Sequence, residues 1–248
     1  MVTGCLVIAV DGPAGAGKSS AARGVATKLG LRYLDTGAMY RALTWFLITQ
    51  RLDVADPAVV AANAGRPAIE VGTDPDRPAI AVDGVDVSGE IRSRDVSNAV
   101  SAVASVPQVR AHLIAQQRDI LARACAAGQG IVAEGRDIGT VVAPQAVVKV
   151  FLTASEEARA SRRSADLAAD PGATPDVTRD ENKRRDRADA PQTMMADDAI
   201  EVDSTVLSLD EVISLIVRAA GERGFPLAGG SGPGPKQRPS RADTARLS

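Results

Sequence analysis

The chain has 248 residues, 45% of them hydrophobic and 24% charged, with a formal net charge of −2. That length and apolar content support one large α/β domain with insertions, or one domain and a tail. Near-neutral charge and 2% aromatic residues argue against a nucleic-acid binder working through bulk attraction or base stacking.

An apolar run from Cys5 to Val10 reads as a buried strand and leads into Gly12-Pro13-Ala14-Gly15-Ala16-Gly17-Lys18-Ser19. This is the pattern G-x-x-x-x-G-K-S/T, followed by an Ala-rich helical stretch, Ser20 to Leu29. Strand, loop and helix in that order are the context in which the pattern carries meaning. Glycines let the loop curl its N–H groups toward phosphate oxygens, and the helix adds its positive end. Lys18 is placed to reach the β- and γ-phosphates, and Ser19 is the expected Mg²⁺ ligand. The expected ligand is therefore a nucleoside triphosphate with Mg²⁺.

Leu31–Asp35 is a weaker strand, and Ile69 to Val87 reads as an antiparallel β insert running to roughly Ser105. Its alternating Ile80, Val82, Val85 and Val87 flank the hairpin signal Asp83-Gly84. A helix is predicted from about Val106 to Ala127, with Pro107 in its first turn. It carries the single histidine, His112, which reads as an ordinary side chain. Short apolar runs at Ile131–Ala133 and Val147–Leu152 suit parallel strands covered on both faces. Ala199–Val202 is a further weak strand, and Ser208-Leu209-Asp210-Glu211 opens a helix with a capping box.

Between Glu156 and Asp189, 17 of 34 residues are charged, with both signs present. Two readings stand: solvated helices held by i,i+4 pairs, or a mobile lid closing over phosphates. Composition favours the first. From about Phe225 the chain turns Gly/Pro-rich and polar, a flexible tail of net charge +3 with no assigned role.

Cys5 and Cys125 are the only cysteines, and no spacing suggests a metal site or a disulfide framework. Cys125 reads as part of an Ala-rich helix. No secretory leader and no apolar stretch of membrane-spanning length are seen, so a cytoplasmic protein without membrane partner is expected.

Transfer of a phosphoryl group to a second phosphate requires several cations drawn from different parts of the chain. Arg41, Arg136, the trio Arg159, Arg162 and Arg163, and the pair Arg184 and Arg185 supply them. A nucleotide switch would instead carry Asn-Lys-x-Asp. Asn182-Lys183-Arg184-Arg185 has arginine where that carboxylate belongs.

Several segments in order then resemble the bacterial cytidylate kinases, which are P-loop nucleoside monophosphate kinases. They are Ile8 to Ser20, Leu34 to Arg41, Asp86 to Arg92, Val100 to Arg110 and Glu134 to Val142. The phosphate loop is widespread. Asp35-Thr36-Gly37 with Tyr40-Arg41, Ser88-Gly89-Glu90-Ile91-Arg92 and Gly135-Arg136-Asp137-Ile138-Gly139-Thr140 are far more discriminating. The resemblance covers residues 5 to about 218.

It implies a three-layer α/β P-loop NTPase fold: a parallel five-stranded sheet, a small β-rich NMP-binding insert (about 63–105) and a helical lid (about 155–190). Residues 1–224 would form the kinase domain and 225–248 the tail. It implies transfer from ATP to CMP or dCMP by a monomer. ATP would be bound by Gly12, Pro13, Ala14, Gly15, Ala16, Gly17, Lys18, Ser19, Ser20, Arg159 and Arg163. CMP would be bound by Thr36, Arg41, Ser101, Arg110, Arg136, Asp137, Arg185 and Asp189, with Ser101, Arg110 and Asp137 reading the cytosine edge. Lys18, Arg41, Arg136 and Arg185 would serve catalysis. The chain departs from the family pattern Arg-Asp-x-x-Asp-x-x-Arg after Asp189. Gln192 stands at the second arginine, leaving Arg184 or Arg187 to substitute.

Overall fold

A computed structural model describes residues 5–166 and 174–225. The expected tail, beyond Phe225 itself, lies outside the described residues.

β1 (Val7–Asp11) feeds the glycine loop and then α1 (Lys18–Leu29), which ends on left-handed Gly30. β2 (Arg32–Asp35) passes directly into α2 (Thr36–Thr49), capped by the Asp35 carboxylate, which accepts the Ala38 N–H. α3 (Pro57–Asn63) precedes three short strands, β3 (Ile69–Val71), β4 (Ile80–Val82) and β5 (Val85–Asp86). These pair antiparallel in a separate sheet turning at Asp83-Gly84, as the alternation predicts. The antiparallel part ends there. Residues 94–105 form α4 (Arg94–Ser105), capped by Ser93.

α5 (Pro107–Ala126) is followed by β6 (Ile131–Glu134) and β7 (Val148–Thr153). The charged segment forms α6 (Glu156–Asp166) and α7 (Pro175–Asp189). β8 (Ile200–Asp203) and α8 (Leu209–Glu222) close the described fold, and the Ser208–Glu211 capping box is formed in full.

The main sheet is five-stranded and parallel, in the order β2-β6-β1-β7-β8. Side-chain alternation along β1 divides the core. Ile8 and Val10 pack with Val25 of α1 and Ile216 of α8. Ala9 joins Leu43 of α2, Val103 of α4 and Leu113 of α5 on the opposite face. Helices thus cover both faces, giving the three-layer P-loop fold. No helix among the described residues is long and apolar enough to cross a membrane.

The cysteines correct the sequence reading. Cys5 and Cys125 are joined in a disulfide with their Cα atoms 5.2 Å apart. α5 ends at a tight turn through Gly128, and β6 starts beside β1, with the Ile131 N–H bonded to the Leu6 carbonyl. That return brings together residues 120 apart in sequence. A two-cysteine spacing carries no trace of it.

Candidate active site

The glycine loop sits at the carboxyl end of β1, the central strand, where parallel sheets of this kind open a crevice. Gly12 is indispensable to the approach. It has φ of 143°, and a Cβ there would stand 2.1 Å from the Leu152 carbonyl oxygen of β7. Lys18 folds back over the loop, its Nζ donating to the Pro13 carbonyl at 2.7 Å. Burial first, then the Arg136 and Arg185 charges, pull its ammonium well below the ordinary lysine value.

A cleft of about 880 Å³ opens over this loop. Loop residues Ala14 to Ser20 line it together with Thr36, Arg41, Ser101, Arg110, Arg136, Asp137, Arg163, Arg185 and Asp189. Residues from seven segments of the chain therefore share one cavity. Gly12 and Pro13 lie behind its wall, and so does Arg159.

The rest of the cleft is built on strand ends and on α2, α4 and α5. Arg41 donates to the Ile91 carbonyl at 3.1 Å and to the Ser97 hydroxyl at 2.9 Å. Arg136 follows β6 and bridges Asp189 of α7 (3.3 Å) and the Gly12 carbonyl (3.0 Å). Arg110 of α5 is paired with Asp137. Close by, the Ser101 hydroxyl is buried without a partner. Thr36 donates to the Glu134 carbonyl at 2.7 Å. Asp11 holds this corner, accepting the N–H groups of Ile138 and Gly139 at 2.8 and 2.7 Å. Burial pushes its carboxyl up to about 6 against those bonds. The π-turn at Ile138–Val142 is thereby anchored directly behind Asp137.

The cationic side chains strain against one another. Burial, then Arg185 and Arg163, lowers Arg41 to about 9. Burial, then Arg136, lowers Arg185 to about 10. Such mutual repulsion is relieved by an anion.

Arg159 does not line the cleft. It is buried against the loop, donating to the Ala14 carbonyl at 3.0 Å and to Asp186. Its neighbour Arg162 ties α6 to Ser204 at 2.6–2.9 Å. The charges of α6 and α7 pair across the two helices, as in Lys183 with Glu156 at 3.0 Å, as well as along α7, as in Arg179 with Asp176 at 3.4 Å. Arg184 and Arg187 do not line the cleft. Arg184 donates to Asn98 on the outer face at 2.6 Å, while Gln192 faces the cleft.

Sequence reasoning missed the role of Glu134. Its buried carboxylate receives the Tyr33 hydroxyl at 2.6 Å, and Ser19 stands near enough to act on its pKa. Burial and the nearby Asp35 raise its pKa. A carboxylate ending the strand beside the phosphate-loop strand was the available signal. Leu207 and Leu209 were also missed, and they add an apolar wall to the cleft near α1.

Residues 8–222 match the Cytidylate kinase family. The chain belongs to that family. A cytidylate kinase of Streptomyces coelicolor is 52% identical over 222 residues, spanning 88% of this chain and 94% of that protein. The corresponding Streptomyces avermitilis protein is 49% identical over the same length and spans. One from Nocardia farcinica is 48% identical over 227 residues, again covering 88% and 94%. A family member with these residues around one cleft is a nucleoside monophosphate kinase.

Proposed function

We propose that this chain transfers the γ-phosphoryl group of ATP to CMP or dCMP, forming ADP and the cytidine diphosphate. The observation that carries the reading is the convergence of Lys18, Arg41, Arg136 and Arg185 on one cleft beside the glycine loop. Two anionic nucleotides meeting end to end supply the charge that this cluster lacks.

The attacking atom is a CMP phosphate oxygen, already ionised, so the reaction needs no strong general base. That oxygen bonds to the γ-phosphorus as the bond to the β–γ bridging oxygen breaks. Loop N–H groups cradle the donor phosphates, and Lys18 leaves the Pro13 carbonyl to follow them. Arg41 and Arg136 grip the acceptor phosphate, a task suited to the guanidinium fork. Arg185 spans the gap, Asp189 turns to the ribose, and α6 and α7 act as the lid, with Arg163 on the donor side. Arg110, Asp137 and Ser101 present donors and an acceptor to the cytosine edge.

Ser19 and Glu134 fit Mg²⁺: both offer oxygen ligands, and both line the cleft beside the glycine loop. When bound, the ion would supply positive charge to the triphosphate.

A coupled assay with ATP and Mg²⁺ across CMP, dCMP, UMP and AMP tests the proposal. CMP and dCMP should exceed the others by about 10²-fold or more in kcat/KM. Asp137→Ala should raise the KM for CMP about 10²-fold and leave ATP affinity unchanged. Preference for UMP or AMP, or equal loss of both substrates in Asp137→Ala, overturns it.

A further inference from the structure

α7 presents two neighbouring stripes. Arg185 and Asp189, four residues apart, face the cleft. Asn182 and Asp186, also four apart, share the adjacent face, and that face meets the back of the phosphate loop. A Cβ on Gly15 would lie 3.3 Å from the Asn182 amide nitrogen and 3.0 Å from the Arg159 carbonyl oxygen. Loop and lid are therefore in contact at van der Waals range.

At this contact a closed ring of polar bonds forms. The Ala14 N–H donates to one oxygen of Asp186 at 3.1 Å. Arg159 donates to the other Asp186 oxygen and, at 3.0 Å, to the Ala14 carbonyl. Both backbone groups of one loop residue are thus held by a single ion pair. Beside the ring, Nε of Arg159 and Nδ2 of Asn182 are buried without a partner.

We infer that Asp186 is a positioning residue for phosphoryl transfer: through Arg159 and Ala14 it sets the phosphate loop in the arrangement that receives the triphosphate. The inference rests on the ATP-to-CMP reading and goes beyond it, since Asp186 does not line the cleft. It also links the two sites, because the next residue, Arg185, projects toward the acceptor.

Charge gives the test its sign. By Coulomb repulsion alone, deleting a carboxylate beside a triphosphate site would strengthen ATP binding. A positioning role demands the reverse.

The experiment compares wild type, Asp186→Ala and Asp186→Asn. It measures metal-free ATP affinity by calorimetry, kcat, both KM values and thermal stability. Asp186→Ala should weaken ATP about 10-fold and lower kcat by a similar factor, with the KM for CMP within about 2-fold of wild type. Asp186→Asn keeps an acceptor for the Ala14 N–H and loses the negative charge that faces Arg159, so it should fall between. It also serves as the readout should Asp186→Ala fold poorly. Unchanged or tighter ATP binding in these variants overturns the inference. So does a parallel rise in both KM values, the mark of a merely structural defect. If wild-type protein binds ATP without phosphorylating CMP, the functional reading fails, and the ATP-affinity comparison still judges Asp186.

Discussion

Lys18 shows how much a single buried side chain depends on its ligand. Its ammonium rests on the Pro13 carbonyl and is drawn down to about 7, by burial first and then by Arg136. At pH 8 the free protein should therefore hold part of its Lys18 neutral. A triphosphate favours the charged form, so metal-free ATP should bind with uptake of a proton at pH 8. At pH 6 the amine is charged beforehand and that uptake disappears. Calorimetry in two buffers of different ionisation heat reads the difference, and Lys18→Met should abolish both the uptake and turnover. This residue was legible because seven neighbours announce it. Glu134 was not, since its meaning lies in Tyr33, 101 residues away, and in a hydroxyl on the next strand's loop.

Elements were legible wherever their signals are local. The Ser208–Glu211 box and the Asp83-Gly84 turn each lie within four residues, and both formed as predicted. Ser208→Ala should cost about 1 kcal/mol in chemical denaturation and leave the KM for CMP untouched, because Ser208 itself does not line the cleft. The α6–α7 pair was harder to read. Its charges neutralise one another between helices, through Lys183 with Glu156 and Arg159 with Asp186, and no spacing along either helix reports that. α4 was likewise absorbed into the β insert, although Val96, Val100 and Val103 recur at helical intervals and are buried.

At the scale of the molecule, the layered α/β architecture followed from alternating elements, while the connections between distant parts did not. The Cys5–Cys125 bridge is the clearest instance. It closes a loop across a separation of 120 residues, a span for which constraint of the unfolded chain contributes about 3 kcal/mol or more. A reductant should therefore lower the Tm by several degrees. Cys125→Ser should reproduce the shift and remove any further response to reductant. Strand order holds a second consequence. β1, the first strand among the described residues, is the central one, and its partners begin only at Ile131 and Val148. A nascent chain must carry an unpaired apolar segment until β6 has left the ribosome. Its maturation is thus governed by late, long-range closure, and it is during that wait that chaperone capture or aggregation competes with folding.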